Sequence, residues 1–253
     1  MRNVITSALI LCWALAAAAQ MAQPPAMTAD EVMAKVFVRD RQREKVSQGY
    51  TGNRRYIFDN RRLHKHSEML VSVKGDPIGA KHFEVVSEEG WKSANTHVLR
   101  KMLASETETS GPAMRAKTLL TPDNYNFSLL QIESVAGRPT YVIAVTPRRH
   151  DKYLFEGQIW IDAVDYALVR ATGKPASNPS FWTRSIHFVH QYQKSGEFWF
   201  PSTTESVTQA WMFGRTEVTI RYFDYVPNMA PERNATATPE KASFSEANYV
   251  KNR

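Results

Sequence analysis

Cysteine is all but missing from this sequence. Of 253 residues only Cys12 is one, and it lies inside an apolar N-terminal run. If that run is removed, the mature chain has none. This excludes disulfides, thiolate catalysis and cysteine-based zinc sites. Leu11 precedes Cys12 where a lipidated cysteine needs a small residue, so no lipid anchor is expected. Also missing are a phosphate-binding loop, an HExxH helix and a GxSxG elbow. No local pairing of nucleophile and base stands out, so no catalytic residue is assigned; a site dispersed along the chain stays open. There is no internal repeat. Tyr141 to Tyr225 has no helical period long enough for a βαβ crossover.

Charge of one sign is only mildly in excess. The formal balance is +7, or +6 once Arg2 leaves with the leader. Such a balance suits an anionic partner or a membrane surface, and equally a protein with neither. Arg2, the apolar stretch Val4 to Ala16 and the small residues Ala17-Ala-Ala19 read as a secretory signal cleaved near Ala19. A secreted compartment speaks against nucleic acid. About 230 mature residues suffice for one domain with an ordinary core.

What is present is a strand-rich chain. Tyr141-Val-Ile-Ala-Val-Thr146, Phe155 to Asp162, Tyr166 to Arg170, Arg184 to Lys194, Phe198 to Thr208 and Arg215 to Tyr225 alternate with period two between Gly, Asp and Ser turns. This is the pattern of an antiparallel meander. Ahead of it, residues 20–27 form a linker. Thr28 and Glu31 form a capping box opening a helix to about Lys45, with Val32, Met33, Val36 and Phe37 as its apolar stripe. Tyr50 to Asp59, Arg61 to Val73 and Ala80 to Val86 are expected strands. Arg54, Arg55, Arg61, Arg62, Lys65 and Lys74 make this the most basic part, either a solvated face or an anion-contacting one. His64 and His66 share a strand face but lack further ligands, so no metal site is expected. Ser93 to Ser105 reads as a second helix, broken from Glu106 to Gly111, and Pro112 to Leu120 adds a turn or two. Tyr125 to Ser134 is a strand. Gly173 to Trp182 is the longest loop, and residues 227–253 form a disordered tail.

These segments, in this order, resemble the outer-membrane lipoprotein-sorting proteins of the LolA/LolB-like family. The likeness rests on Tyr141-Val-Ile-Ala-Val-Thr-Pro147, Gly157-Gln-Ile-Trp-Ile-Asp162, Tyr166-Ala-Leu-Val-Arg170, Phe198-Trp-Phe-Pro201 and Gly214 through Tyr225. It covers roughly residues 28 to 226 as a single domain. The resemblance implies an α+β, mainly β fold: a curved antiparallel sheet forming an unclosed β-barrel, with helices over its concave face. It also implies a periplasmic carrier that holds lipoprotein acyl chains or a similar amphiphile, with no cofactor and no enzyme activity. Membrane-bound donor and acceptor proteins are the implied partners. The alternatives are an envelope sensor or scaffold binding a membrane-protein partner, or a β-rich envelope hydrolase. Under the carrier reading, the stripe Val98, Leu99, Met102 and Leu103 packs over the concave face near Tyr141, Ile143, Trp160, Ile186, Phe188, Val218 and Ile220. The alternation of these positions permits a shared face but does not tell which face is concave. Core packing is the competing role for each.

Overall fold

The computed structural model describes residues 25–77, 79–178, 183–212 and 214–229. The expected leader lies outside them, as do Phe181-Trp182 and residues 230–253 of the expected tail. Among the described residues ten strands form one sheet: β1 (Ser47–Asn60), β2 (Lys65–Gly75), β3 (Lys81–Gly90), β4 (Tyr125–Val135), β5 (Arg138–Pro147), β6 (Phe155–Asp162), β7 (Leu168–Pro175), β8 (Thr183–Ser195), β9 (Phe198–Ala210) and β10 (Gly214–Met229). The spatial order is β3-β2-β1-β10-β9-β8-β7-β6-β5-β4, so β3 and β4 are free edges and the barrel is not closed. Every strand pairing is antiparallel. The fold is therefore the mainly β, unclosed antiparallel sheet that the alternation and the resemblance led us to expect.

One row of residues can be followed across the sheet through its paired positions. Met69, Tyr56, Ile220, Thr204, His190, Ala171, Ile159, Ile143 and Leu129 stand side by side on one face. Both ends of the row are large and apolar, and the middle is small or polar. Helices cover the two ends. Helix α1 (Ala29–Val46) opens with Thr28 and Glu31, whose carboxylate accepts from the Thr28 N–H at 2.8 Å. It buries Val32, Met33 and Val36 against Tyr141, Ile143, Ile159 and Ile161.

The second cover is inserted between the two edge strands. It consists of α2 (Lys92–Ala94), a π-helical turn (Asn95–Leu99), α3 (Arg100–Ser110) and α4 (Pro112–Thr118). The helix does not break at Glu106 but runs on to Ser110. Glu106 is held by cations on the sheet, and the Ser110 hydroxyl accepts from the Lys81 N–H at 3.0 Å. Ala94, Leu99 and Leu103 pack on Tyr56, Phe58, Met69, Val71, Val218 and Ile220. Two separate cores result, one under each cover.

Local chemistry explains the other departures from the expected boundaries. Arg61 to His64 is a turn rather than strand, with the Leu63 N–H donating to Asn60 Oδ1 at 2.9 Å and His64 at φ 51°. The carboxylate of the buried Asp162 accepts from the N–H groups of Val164 and Asp165, so the turn lengthens and β7 begins only at Leu168. β7 extends to Pro175, which shortens the long loop, and β10 continues through Pro227, paired with Tyr50.

Candidate functional site: a cavity between two cores

The gap between the two cores is a cavity of about 1100 Å³, at the upper end of small-molecule pockets. Its floor is β9. The alternate residues Thr204, Ser206, Thr208 and Ala210 all line it, and all are small. They face the cover across a space their side chains cannot fill. Ile186 and Phe188 on β8 form one wall, and Phe58 and Val218 the other. The roof is the helical insertion, through Ala94, Val98 and Met102. His97, Lys101, Arg115 and Lys152 place cationic or titratable groups around it, so an apolar interior meets a basic border.

The apolar stripe of the roof begins in a π-turn and has two sides. The Arg100 N–H donates to the Asn95 carbonyl, five residues back. Such turns recur at functional sites. Here Leu99, fully buried, and Leu103 point into the sheet, whereas Val98 and Met102 border the cavity.

The structure distributes the residues singled out from sequence among four places. Val98, Met102, Ile186, Phe188 and Val218 line the cavity. Leu99, Leu103 and Ile220 belong to the core just beneath the roof. Tyr141 and Ile143 lie in the other core, under α1. Trp160 does not share their face. Its neighbours Ile159 and Ile161 point inward, so Trp160 points outward. There its indole N–H donates to Glu133 Oε1 at 2.5 Å and the Arg170 guanidinium stacks on its ring at 4.8 Å.

Polar groups that sequence reasoning passed over sit at the inner end of the cavity. Arg54, read as part of a solvated basic face or an anion-contacting one, is buried. Its Nη1 donates to Glu106 Oε2 at 2.7 Å and to the Tyr56 hydroxyl at 3.1 Å, and its Nε donates to the Tyr225 hydroxyl at 2.8 Å. Its guanidinium lies 4.9 Å over the Tyr222 ring and 5.0 Å over Phe83. Lys81 Nζ donates to the other Glu106 oxygen at 2.6 Å. Burial opposes the charge on Glu106, but Lys81 and Arg54 outweigh it and hold the carboxyl at about 2. His190 and Thr204 share a hydrogen bond of 2.7 Å, and Thr204 shares another of 2.9 Å with Tyr222. Burial pushes His190 down to about 4, with Glu106 opposing and Lys81 adding, so the ring is neutral at pH 7. Two signals existed in the sequence. One was the run of small residues at alternate positions from Thr204 to Ala210. The other was a lone arginine at an inward position of β1.

Residues 121–229 match a family of unknown function, DUF5686. The match spans β4 to β10 and leaves out α1, β1 to β3 and the whole helical insertion. No curated protein matches the chain. Solved structures similar to it include a LolA superfamily protein from Nitrosomonas europaea, at 12% identity over 81% of this chain and 96% of that one, with a TM-score of 0.42. A putative outer membrane lipoprotein-sorting protein domain from Vibrio parahaemolyticus is similar at 13% identity, over 81% and 94%, with a TM-score of 0.41. A chain of the MucA/MucB complex of Pseudomonas aeruginosa is similar at 12% identity, over 80% and 99%, with a TM-score of 0.29. No described helix is long and apolar enough to cross a membrane, which says nothing about strands.

Proposed function

We propose that the chain works in the periplasm as a binding or carrier protein, holding the acyl chains of a lipoprotein or a similar amphiphile in this cavity. The observation that carries the reading is the cavity itself. A volume of about 1100 Å³ is kept open between two filled cores by a floor of threonine, serine and alanine. Transfer of an acyl chain into such a space contributes about 0.8 kcal/mol per buried CH₂. The basic border suits an anionic head, and no bond need be made or broken.

Native mass spectrometry of protein purified from its own envelope tests this. A co-purifying lipid, and a fluorescent fatty-acid probe that binds competitively with it, are the expected results. Ser206→Trp, which puts a large ring on the cavity floor, should abolish probe binding while leaving the protein folded. A protein that carries no lipid and never binds the probe would sink the carrier reading and favour the scaffold alternative.

A further inference from the structure

The turn joining β9 to β10 is unusual for a hairpin tip. Such turns are ordinarily made of glycine, asparagine, aspartate and serine. This one presents Trp211 and Met212, 62% and 61% exposed, at the end of two long strands. Two arginines meet the tip and two more lie next to these contacts along the chain. The Arg184 guanidinium lies 4.3 Å over the Trp211 ring. Arg62 packs against the base of the tip, its Cδ 3.1 Å from the place a Cβ on Gly214 would take. Arg61 is its chain neighbour, and Arg215 follows Gly214 on β10. Glu217 is the acid that meets them, 2.7 Å from Arg215 and 3.8 Å from Arg61.

An exposed tryptophan and methionine with arginines at their base match the chemistry of an anionic bilayer surface. Tryptophan favours the level of the headgroups, and each nearby cation is attracted by anionic lipid. The cavity wall reaches the base of the same tip. Ala210 and Thr183, paired across β9 and β8, line it just behind Trp211. We propose that the β9–β10 tip is a docking surface for anionic membranes. Trp211 and Met212 enter the headgroup region, and Arg61, Arg62, Arg184 and Arg215 meet the phosphates. This goes beyond the carrier reading and does not require a loaded cavity.

The test is sedimentation of the full mature chain with vesicles of phosphatidylcholine alone or mixed with phosphatidylglycerol. Binding to the mixed vesicles is expected, falling as salt screens the arginines. Trp211→Ser with Met212→Ser should abolish it, and Arg62→Ser should weaken it about fivefold, the weight of one cation near such a surface. No vesicle binding by the wild type, or equal binding by the double variant, overturns the proposal. So does wild-type self-association that the double variant loses, because the tip would then join two copies. The double variant should still bind the fatty-acid probe. Loss of probe binding by the wild type with vesicle binding kept would defeat the carrier reading alone.

Discussion

Arg54 on β1 and Glu106 on α3 meet at 2.7 Å, 52 residues apart in sequence, and so tie the cavity's roof to its sheet. The arginine is fully enclosed. The Tyr56 and Tyr225 hydroxyls accept from its Nη1 and Nε, and two aromatic rings lie against its guanidinium. Burial of a guanidinium is costly, and it is tolerated here because a carboxylate, two hydroxyls and two π-faces meet it. Lys81, on edge strand β3, secures the second carboxylate oxygen. The pair therefore fixes where the roof sits as well as adding to stability.

Removing one partner should be worse than removing both. Glu106→Gln leaves a buried cation facing a neutral amide and should cost about 3–5 kcal/mol in urea denaturation. Arg54→Met combined with Glu106→Leu should recover most of that loss, because the enclosed cation is gone and Lys81, its side chain 30% exposed, can turn to water. A single variant as stable as the wild type would show that the pair does not hold the roof.

Acid should lower the protein's stability in two stages, each with a named group. His190 titrates at about 4 when folded against an ordinary 6.5, so the unfolded chain takes up the proton first. The stability that comes from burying it neutral is complete above about pH 6.5 and is lost as pH falls towards 4. That loss should amount to about 1–3 kcal/mol. Glu106 acts lower. Its contribution is whole above its ordinary 4.5 and fades as pH falls towards 2. His190→Gln should flatten the stability profile between pH 6.5 and 4 while leaving the lower step in place. A profile unchanged by that substitution would remove His190 from the account.

Much of this architecture was legible from period and capping alone. Phe155 to Asp162 is a strand with the expected ends, and Thr28 and Glu31 open α1 as their spacing requires. The inward face was not legible, because alternation fixes which residues share a face and leaves register to the partner strands. Trp160 shows this: it alternates with Ile159 and Ile161, and only the pairing of Ile159 with Ile143 decides which of them is inside. Arg54 was misjudged for a different reason. A charge in a basic stretch is ordinarily solvated, and the partner that makes its burial possible lies on an insertion far along the chain. The cavity was invisible as such, since it follows from what β9 lacks: Thr204, Ser206, Thr208 and Ala210 leave the space that larger residues would fill.

The roof allows cavity and core to be separated by two substitutions one helical turn apart. Leu99 is fully buried between the helix and Tyr56, Phe58, Met69 and Val71. Leu99→Ser should therefore destabilise by roughly 2–5 kcal/mol, the range for large core truncations. Its probe affinity, measured on the folded fraction, should hardly move. Met102 is half-buried and borders the cavity. Met102→Ser should cost about 1 kcal/mol in stability, because part of its side chain already lies outside the packed core. It should also weaken the fatty-acid probe about fourfold, the transfer energy of roughly one methylene. Denaturation curves and probe titrations on both variants give the comparison. If Leu99→Ser shifts the probe and Met102→Ser shifts only stability, then the two side chains point the other way and the cavity is not what Met102 faces.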